Sequence, residues 1–219
     1  MSLLSDPKIP FVHLHFDSEF SLLDGANRID KSVERAAELG MPALALTDHG
    51  VMYGAIDFYK KAKKAGIKPI IGCETYMSHG RMHERRVEEG TGSQSNHQVL
   101  LAENNEGYFN LVKLVSLGHL EGFYYKPRID MESLSLHSKG LIGTSSCLKG
   151  KIPEAIVRGN MKLAMELTGT FSDIFGPENF FIELQNHGLE EQQIANRGLI
   201  EIARKTGLKM IVSNDVHYL

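Results

Sequence analysis

The stretch HLHFDSEFSLLDG, from His13 to Gly25, places two histidines and three acids within thirteen residues near the start of the chain. Imidazole and carboxylate groups are ligands for transition metals. Side chains two positions apart point to the same face of an extended chain, so His13, His15 and Asp17 are expected to point the same way. The stretch therefore predicts one wall of a metal site.

Further residues of these types recur where apolar segments of strand length end. A mixture of imidazole, carboxylate and thiolate suits zinc, manganese or iron better than calcium or magnesium. The candidates exceed the four ligands of one tetrahedral site, so a cluster of two or three divalent ions is expected, with zinc preferred. They are His49 in TDHG, Glu74 in GCET, Cys147 in SSC, and Asp215 and His217 in NDVH.

Strands and helices that could position these residues alternate along the chain. The apolar pattern predicts an N-cap at Asp30 for the first helix and a C′ glycine at Gly40. A charged, glycine-rich loop is expected from Ser78 to Asn96. Strands are predicted at 11–16, 43–46, 68–77, 97–103, 140–146, 180–185 and 209–215, and helices at 30–39, 55–66, 105–119, after 130, within 152–175, and at 189–205.

This alternation indicates an α/β protein with a mostly parallel sheet, either open and doubly wound or closed into a barrel. A barrel gathers the carboxyl ends of its strands around one mouth, which favours a barrel here. His97 begins its strand instead of ending it. Because no helix precedes that strand, an antiparallel pairing with strand 68–77 would still bring His97 to the mouth.

Composition limits the classes of function. The 219 residues are 42% hydrophobic and carry a net charge of −3, so a path for nucleic acid must be local and not a property of the whole surface. Two cysteines do not make a disulfide framework, which indicates a reducing, cytoplasmic setting. We find no signal peptide and no apolar run of membrane-spanning length, so no membrane partner is expected.

Several motifs together resemble the polymerase-and-histidinol-phosphatase (PHP) domain, in the form found at the N-terminus of the bacterial DNA polymerase III alpha subunit. The resemblance covers essentially residues 1–219 as one domain, and it implies a much longer polymerase chain whose polymerase core is absent here. The motifs are HLHFDSEFSLLDGA, ALTDHGVMYGAIDFYKKAKKAGIKPIIGCETYM, GYFNLVKLVS, EGFYYKPRID, FFIELQNHG and NDVHYL.

The resemblance implies an irregular (β/α)7 TIM-like barrel with up to nine ligands for three metal ions. The family usually has a histidine where this sequence has Asp17, which retains the right face but is a shorter ligand. The matching ligands are His15, Asp24, His49, Glu74, His97, Cys147, Asp215 and His217. Of these, His15, Asp24, His49, Glu74, Asp215 and His217 would form the catalytic set.

The implied reaction is metal-dependent 3′–5′ exonuclease proofreading at a DNA primer end, with the polymerase core and other replicase subunits as partners. Two alternatives stay open: a non-catalytic metal-binding module that docks a separate proofreading subunit, and a stand-alone phosphoesterase of the histidinol-phosphatase type. Lys126 and Arg128, beside two tyrosines, suit contacts with a DNA backbone, although side chains of a turn that lie along apolar surface explain them as well.

Overall fold

A computed structural model describes residues 11–85 and 95–218. The predicted loop at 78–96 therefore lies partly outside the described residues, as do residues 1–10 and Leu219. The strands are β1 Ala43–Leu46, β2 Lys68–Met77, β3 Asn96–Ala102, β4 Arg128–Ile129, β5 Leu141–Thr144, β6 Phe180–Leu184 and β7 Met210–Val212. The helices are α1 Ile29–Glu38, α2 Ala55–Lys64, α3 Asn105–Leu120, α4 Met131–Leu136, α5 Lys151–Val157, α6 Met161–Phe175 and α7 Glu190–Thr206.

The strands form one curled sheet in the order β1-β2-β3-β5-β6-β7, and the short strand β4 pairs with the end of β2. Strand β3 runs antiparallel to both β2 and β5, while the β1–β2, β5–β6 and β6–β7 pairs are parallel. In the β2–β3 register Tyr76 lies opposite His97. The antiparallel pairing inferred from the missing helix is thus confirmed, as is the irregular α/β barrel.

The predicted first strand at 11–16 is wrong as a regular strand, although the segment does close the barrel. Phe16 forms a parallel bridge with Val216 on one side, and on the other side Thr47 donates its backbone N–H to the Phe16 carbonyl at 2.9 Å. The Phe16 N–H goes to the Thr47 hydroxyl, and the Ser18 N–H goes to the Asp48 carboxylate. Side chains therefore accept the backbone N–H groups that would donate to a neighbouring strand in a regular sheet.

The first helix begins one residue earlier than predicted, and Asp30 is not its N-cap. Arg28 is the capping residue and makes no side-chain cap, while Asp30 lies in the first turn and accepts hydrogen bonds from the Arg28 guanidinium. Ile29 is buried against the core, so packing sets where the helix starts. Gly40 has a φ of +69° and follows the last turn, as predicted for a C′ glycine.

Two apolar clusters hold the helices on the sheet. The larger contains three stacked rings, Phe171, Phe175 and Phe180, which join α6 to β6. Gly143 on β5 leaves room for this stack, because a Cβ there would lie 2.5 Å from the Phe175 ring. The smaller cluster seats α1 and α2 on β1. Within the described ranges, no helix combines the length and apolar character needed to span a bilayer.

Candidate metal centre

All nine predicted ligands come together at one end of the barrel. His49 follows β1 and bridges to Glu74 of β2, so two neighbouring strands place these side chains next to each other. Cys147 follows β5, and Asp215 and His217 follow β7. The opening stretch and the start of β3 contribute the others, which are His15, Asp17, Asp24 and His97.

Glu74 lies at the centre of the cluster. Its Oε1 is 2.7 Å from Nδ1 of His97, and its Oε2 is 3.0 Å from Nδ1 of His49 and 3.2 Å from Nε2 of His15. Burial alone would raise the pKa of this carboxyl, but the charges of His15 and His97 outweigh burial and hold the pKa well below its usual value. The ionised carboxylate can therefore serve more than one cation.

Asp17 is fully buried and is held by the turn that follows it. Ser21 donates to Oδ1 of Asp17 at 2.6 Å and accepts the backbone N–H of His49 at 3.0 Å. Only glycine fits at position 25, because a Cβ there would lie 2.2 Å from the Ser18 carbonyl oxygen. Burial raises the pKa of Asp17 to about 6, since the carboxylate loses contact with water and its charged form is penalised.

Asp24 completes the outer side of the cluster. Its Oδ2 is 2.9 Å from Nε2 of His49 and 3.7 Å from Nε2 of His217, although the carboxylate itself is half exposed. Asp17 approaches the same two imidazoles, with Oδ1 3.7 Å from His49 and Oδ2 3.9 Å from His217. The two acids thus face the same pair of histidines.

Three overlapping groups of side chains have ligand atoms within 4.8 Å of one another, so each group could hold a metal ion. Each group shares a member with another, so the arrangement suits neighbouring ions with bridging ligands. Cys147 adjoins the second group, with its Sγ 3.5 Å from Oε1 of Glu74. The groups are Asp17, His49 and His217; His49, Glu74 and His97; and His15, Asp17, Glu74 and Asp215.

Unpartnered polar atoms show that these residues fit cations. A buried polar atom without a hydrogen bond costs about 1–3 kcal/mol, and such atoms are rare in proteins. In the described part of the chain, six such atoms belong to this one cluster and face each other. They are Nε2 of His15, Oδ2 of Asp17, both ring nitrogens of His49, Oε2 of Glu74 and Oδ1 of Asp215.

The acids also change the charge state of the histidines. Burial opposes protonation of His49, yet the nearby carboxylate of Glu74, 3.0 Å from Nδ1, outweighs it and raises the pKa of His49 to about 9. Burial is likewise outweighed at His15, where Glu74 and Asp215 raise the pKa well above its usual value. Protons on these rings thus balance the buried carboxylates where cations would otherwise do so.

Glu183 on β6 is a buried member of the site that the sequence analysis missed. Its Oε1 lies 2.8 Å from Nδ1 of His15, on the side of the ring away from the cluster. The available signal was a single acid within the apolar strand FFIEL. Two other residues lie outside the three ligand groups: Cys73 is fully buried, and His13 packs its ring edge-on against Phe11.

The prediction of a DNA contact is wrong for Arg128. Its side chain is only 3% exposed, and its guanidinium donates to the backbone carbonyls of Gly122, Met82 and Glu84. It therefore fastens a loop to β4. Lys126, in contrast, is exposed, and its Nζ lies 5.2 Å from the centre of the Tyr76 ring.

The barrel carries imidazole and carboxylate groups, which can bind metal ions, at the face where barrel enzymes have their active sites. Residues 13–187 match the PHP domain, and the chain belongs to the PHP domain family. This match covers most of the described barrel and includes seven of the nine clustered residues, from His15 to Cys147.

Curated relatives are considerably longer than this chain. The DNA polymerase III subunit alpha of Thermus aquaticus is 47% identical over 214 residues, which cover 97% of this chain and 18% of the relative. That of Borreliella burgdorferi is 46% identical over 209 residues, which cover 95% of this chain and 18% of the relative. The chain thus spans less than a fifth of the length of these relatives.

Solved structures with the same fold have distant sequences. A protein from Bifidobacterium adolescentis, provisionally described as a metal-dependent phosphoesterase, superposes with a TM-score of 0.58 at 15% identity, covering 97% of this chain and 90% of that one. An amidohydrolase from Chromobacterium violaceum gives a TM-score of 0.56 at 16% identity, covering 94% of this chain and 87% of that one. These similarities establish the barrel fold alone.

Proposed function

We propose that this chain is the PHP domain at the N-terminus of a DNA polymerase III alpha subunit, and that its mouth hydrolyses the terminal phosphodiester at a DNA 3′ end. The strongest support is the convergence of nine side chains from separate segments, with six unpartnered buried atoms facing inward. The longer protein would be a DNA-directed DNA polymerase, located in the cytoplasm.

The nine clustered side chains would together bind two or three divalent ions, with zinc preferred and manganese or iron as alternatives. Such ions supply Lewis acidity towards phosphate oxygens and activate water near neutral pH. Glu74 and Asp17 each belong to two of the three ligand groups, and their carboxylates would be shared between ions, while His49 would bind one ion through one ring nitrogen. The ions would lie beside a cavity of about 240 Å³ that His49, His97 and Asp215 line.

The surroundings of the mouth suit a nucleic acid end. Lys149 lines the cavity beside the cluster, and Lys126 lies over Tyr76, whose ring stacks on His49 at 5.9 Å between centroids. Cations placed beside such a centre can contact phosphates of the backbone without reading sequence. The partners would be the primer 3′ end, the polymerase core of the same chain and other replicase subunits.

Asp17 favours a second candidate function. It stands where the family usually has histidine, and its Oδ1 is already engaged by Ser21. A carboxylate is shorter than an imidazole, so the group with His49 and His217 would bind an ion less tightly. A domain with that defect would bind metal for stability and dock a separate proofreading subunit instead of cleaving DNA.

One experiment separates these functions. The 219-residue protein is incubated with zinc or manganese and a 3′-labelled primer, paired or mismatched, and in parallel with a small phosphomonoester. The exonuclease function predicts primer shortening that chelator abolishes and that Asp57→Asn, an exposed change on α2, leaves intact. Tight metal binding without any cleavage would instead support the docking function, and release of phosphate from the monoester alone would indicate a stand-alone phosphoesterase.

A further inference from the structure

We propose that Glu183 is a positioning residue for the metal centre: it fixes the imidazole of His15 so that only Nε2 is presented to an ion. The inference rests on the proposed metal site but not on the hydrolysis of DNA. Glu183 is not one of the nine clustered side chains. It lies behind the His15 ring, at Nδ1, and belongs to none of the three ligand groups.

The two nitrogens of His15 have different surroundings. Nδ1 lies 2.8 Å from Oε1 of Glu183, whereas Nε2 lies 3.2 Å from both Oε2 of Glu74 and Oδ1 of Asp215. Nε2 has no hydrogen-bond partner, although it is fully buried. A proton on Nδ1 that is donated to Glu183 leaves the Nε2 lone pair directed at the two acids. An ion shared with Glu74 and Asp215 is therefore bound by Nε2.

Glu183 is itself held by donors from three segments. The Thr144 hydroxyl, at the end of β5, donates to Oε2, and the Ser213 hydroxyl, just after β7, donates to Oε1. Gln185 donates to Oε1 at 3.0 Å. With His15 included, four donors converge on one carboxyl group, and an ionised carboxylate, which only accepts hydrogen bonds, satisfies all of them. The acceptor is thus rigid and charged before any ion binds.

Such a carboxylate acts on the ligand in two ways. It holds the imidazole plane in one orientation, which reduces the loss of freedom when an ion binds, and it increases the electron density at Nε2, which makes the nitrogen a stronger donor. Glu183 would also bring β5, β6 and the segment after β7 together, and a purely structural role would end there. The test must therefore measure the ligand itself as well as the stability of the fold.

Two substitutions separate the hydrogen bond from the charge. In Glu183→Gln, the amide oxygen can occupy the place of Oε1 and accept the His15 proton, while the amide nitrogen faces the Thr144 hydroxyl, which can turn to accept. Glu183→Ala removes both contributions. Asp130→Asn is a matched control, because Asp130 is also buried and hydrogen-bonded, at the start of α4, but has no contact with the nine clustered residues.

The experiment measures zinc affinity by competition with a chromophoric chelator and the imidazole resonances of the ¹⁵N-histidine-labelled, zinc-loaded protein. We expect Glu183→Ala to lower the affinity for one zinc ion about 10- to 100-fold and to abolish the downfield Nδ1–H signal of His15. Glu183→Gln should keep that signal and should lower the affinity for the same ion less than Glu183→Ala does. Asp130→Asn should leave both the affinity and the signal unchanged.

Wild-type affinity and an unchanged Nδ1–H signal in Glu183→Ala would overturn the proposal. So would an equal loss of affinity in Asp130→Asn, because that would indicate general destabilisation. If Glu183→Ala does not fold, Glu183→Gln decides: an affinity and a signal identical to those of the wild type overturn the role of the charge. Wild-type protein that binds zinc but cleaves no DNA would refute the exonuclease function and leave the role of Glu183 intact.

Discussion

Oε1 of Glu74 lies 2.7 Å from Nδ1 of His97, although Glu74 is near the end of its strand and His97 is near the start of the next. The contact exists because β2 and β3 run antiparallel, with His97 opposite Tyr76. One reversed strand in a mostly parallel barrel thus adds an imidazole to the carboxyl-end mouth. Glu74 thereby becomes the acid with the most histidine contacts among the nine clustered residues.

Glu74→Gln should remove more of the metal than Asp24→Asn. Glu74 belongs to two of the three ligand groups, so the loss of its charge should cost about two ions per chain. Asp24 is half exposed and, among the described residues, its carboxylate pairs with His49 and His217, so its loss should cost at most about one ion. Elemental analysis after dialysis provides the count. A full complement of metal in Glu74→Gln would contradict the shared-ligand arrangement.

Asp17→His should strengthen metal binding and raise exonuclease activity, because an imidazole reaches further towards the ion beside His49 and His217. We expect an increase in zinc affinity of about tenfold, equivalent to about 1.4 kcal/mol. Asp17→Asn is the control: it keeps the shape and the Ser21 contact but loses the charge, so its affinity should fall. An affinity and primer-shortening rate that stay at wild-type values in Asp17→His would show that this position does not limit activity.

Metal loading should release protons and weaken as the pH falls. In the metal-free protein the pKa of His49 is raised to about 9, so below that pH a cation must displace a proton from the ring. Titration calorimetry at pH 7.5 in two buffers of different ionisation enthalpy measures the release. An affinity that is constant between pH 6 and 9 would exclude this competition.

The same shift predicts the pH dependence of metal-free stability. A histidine whose pKa is raised on folding contributes stability that is fully present below its unfolded pKa of 6.5. That contribution is lost as the pH rises through about 9, so the metal-free protein should become easier to unfold in urea across this window. The metal-loaded protein should instead become harder to unfold as the pH rises, since loss of the proton from His49 favours binding of the ion.

Arg128→Ala should lower stability, whereas Lys126→Ala should lower DNA binding. Arg128 is buried and satisfies three backbone carbonyls, so its removal should cost about 3 kcal/mol of stability in urea unfolding. Lys126 is exposed, so its removal should change stability by less than about 0.5 kcal/mol. Lys126→Ala should instead weaken primer binding and reduce the salt slope by about 1, measured by fluorescence anisotropy. Unchanged DNA binding in Lys126→Ala would refute a phosphate contact.

Much of the fold and the convergence of the candidate ligands could be predicted because the informative residues occupy positions visible in the sequence. His49 follows one apolar run of strand length and Glu74 lies near the end of the next, and the parallel pairing of these strands brings the two residues together. His97 required one further observation, the absence of a helix before β3. The boundaries of β1 and β2 agree with the prediction residue for residue.

The remaining features depend on contacts between distant segments. Glu183 lies in a strand covered on both faces, where alternation does not indicate which way an acid points. Arg128 beside tyrosines has the composition of a nucleic-acid contact, and its burial depends on the carbonyls near Met82. The segment at 11–16 has a strand-like sequence, but the Thr47 hydroxyl accepts the Phe16 N–H, and just beyond the segment Asp48 accepts the Ser18 N–H. None of these partners is adjacent in the sequence.

Backbone hydrogen bonds join the opening stretch to the segment after β7. The Asp17 N–H donates to the Val216 carbonyl, and the Ala26 N–H donates to the His217 carbonyl. Asn27 also reaches the Val216 carbonyl, across 189 positions of sequence. Closing a loop of that length costs conformational entropy before the contacts that it brings together can form. During synthesis, Asp215 and His217 leave the ribosome only after nearly the whole barrel, so these partners of His15 and Asp17 are the last to become available. An ion that binds before Asp215 and His217 are in place therefore meets an incomplete set of ligands.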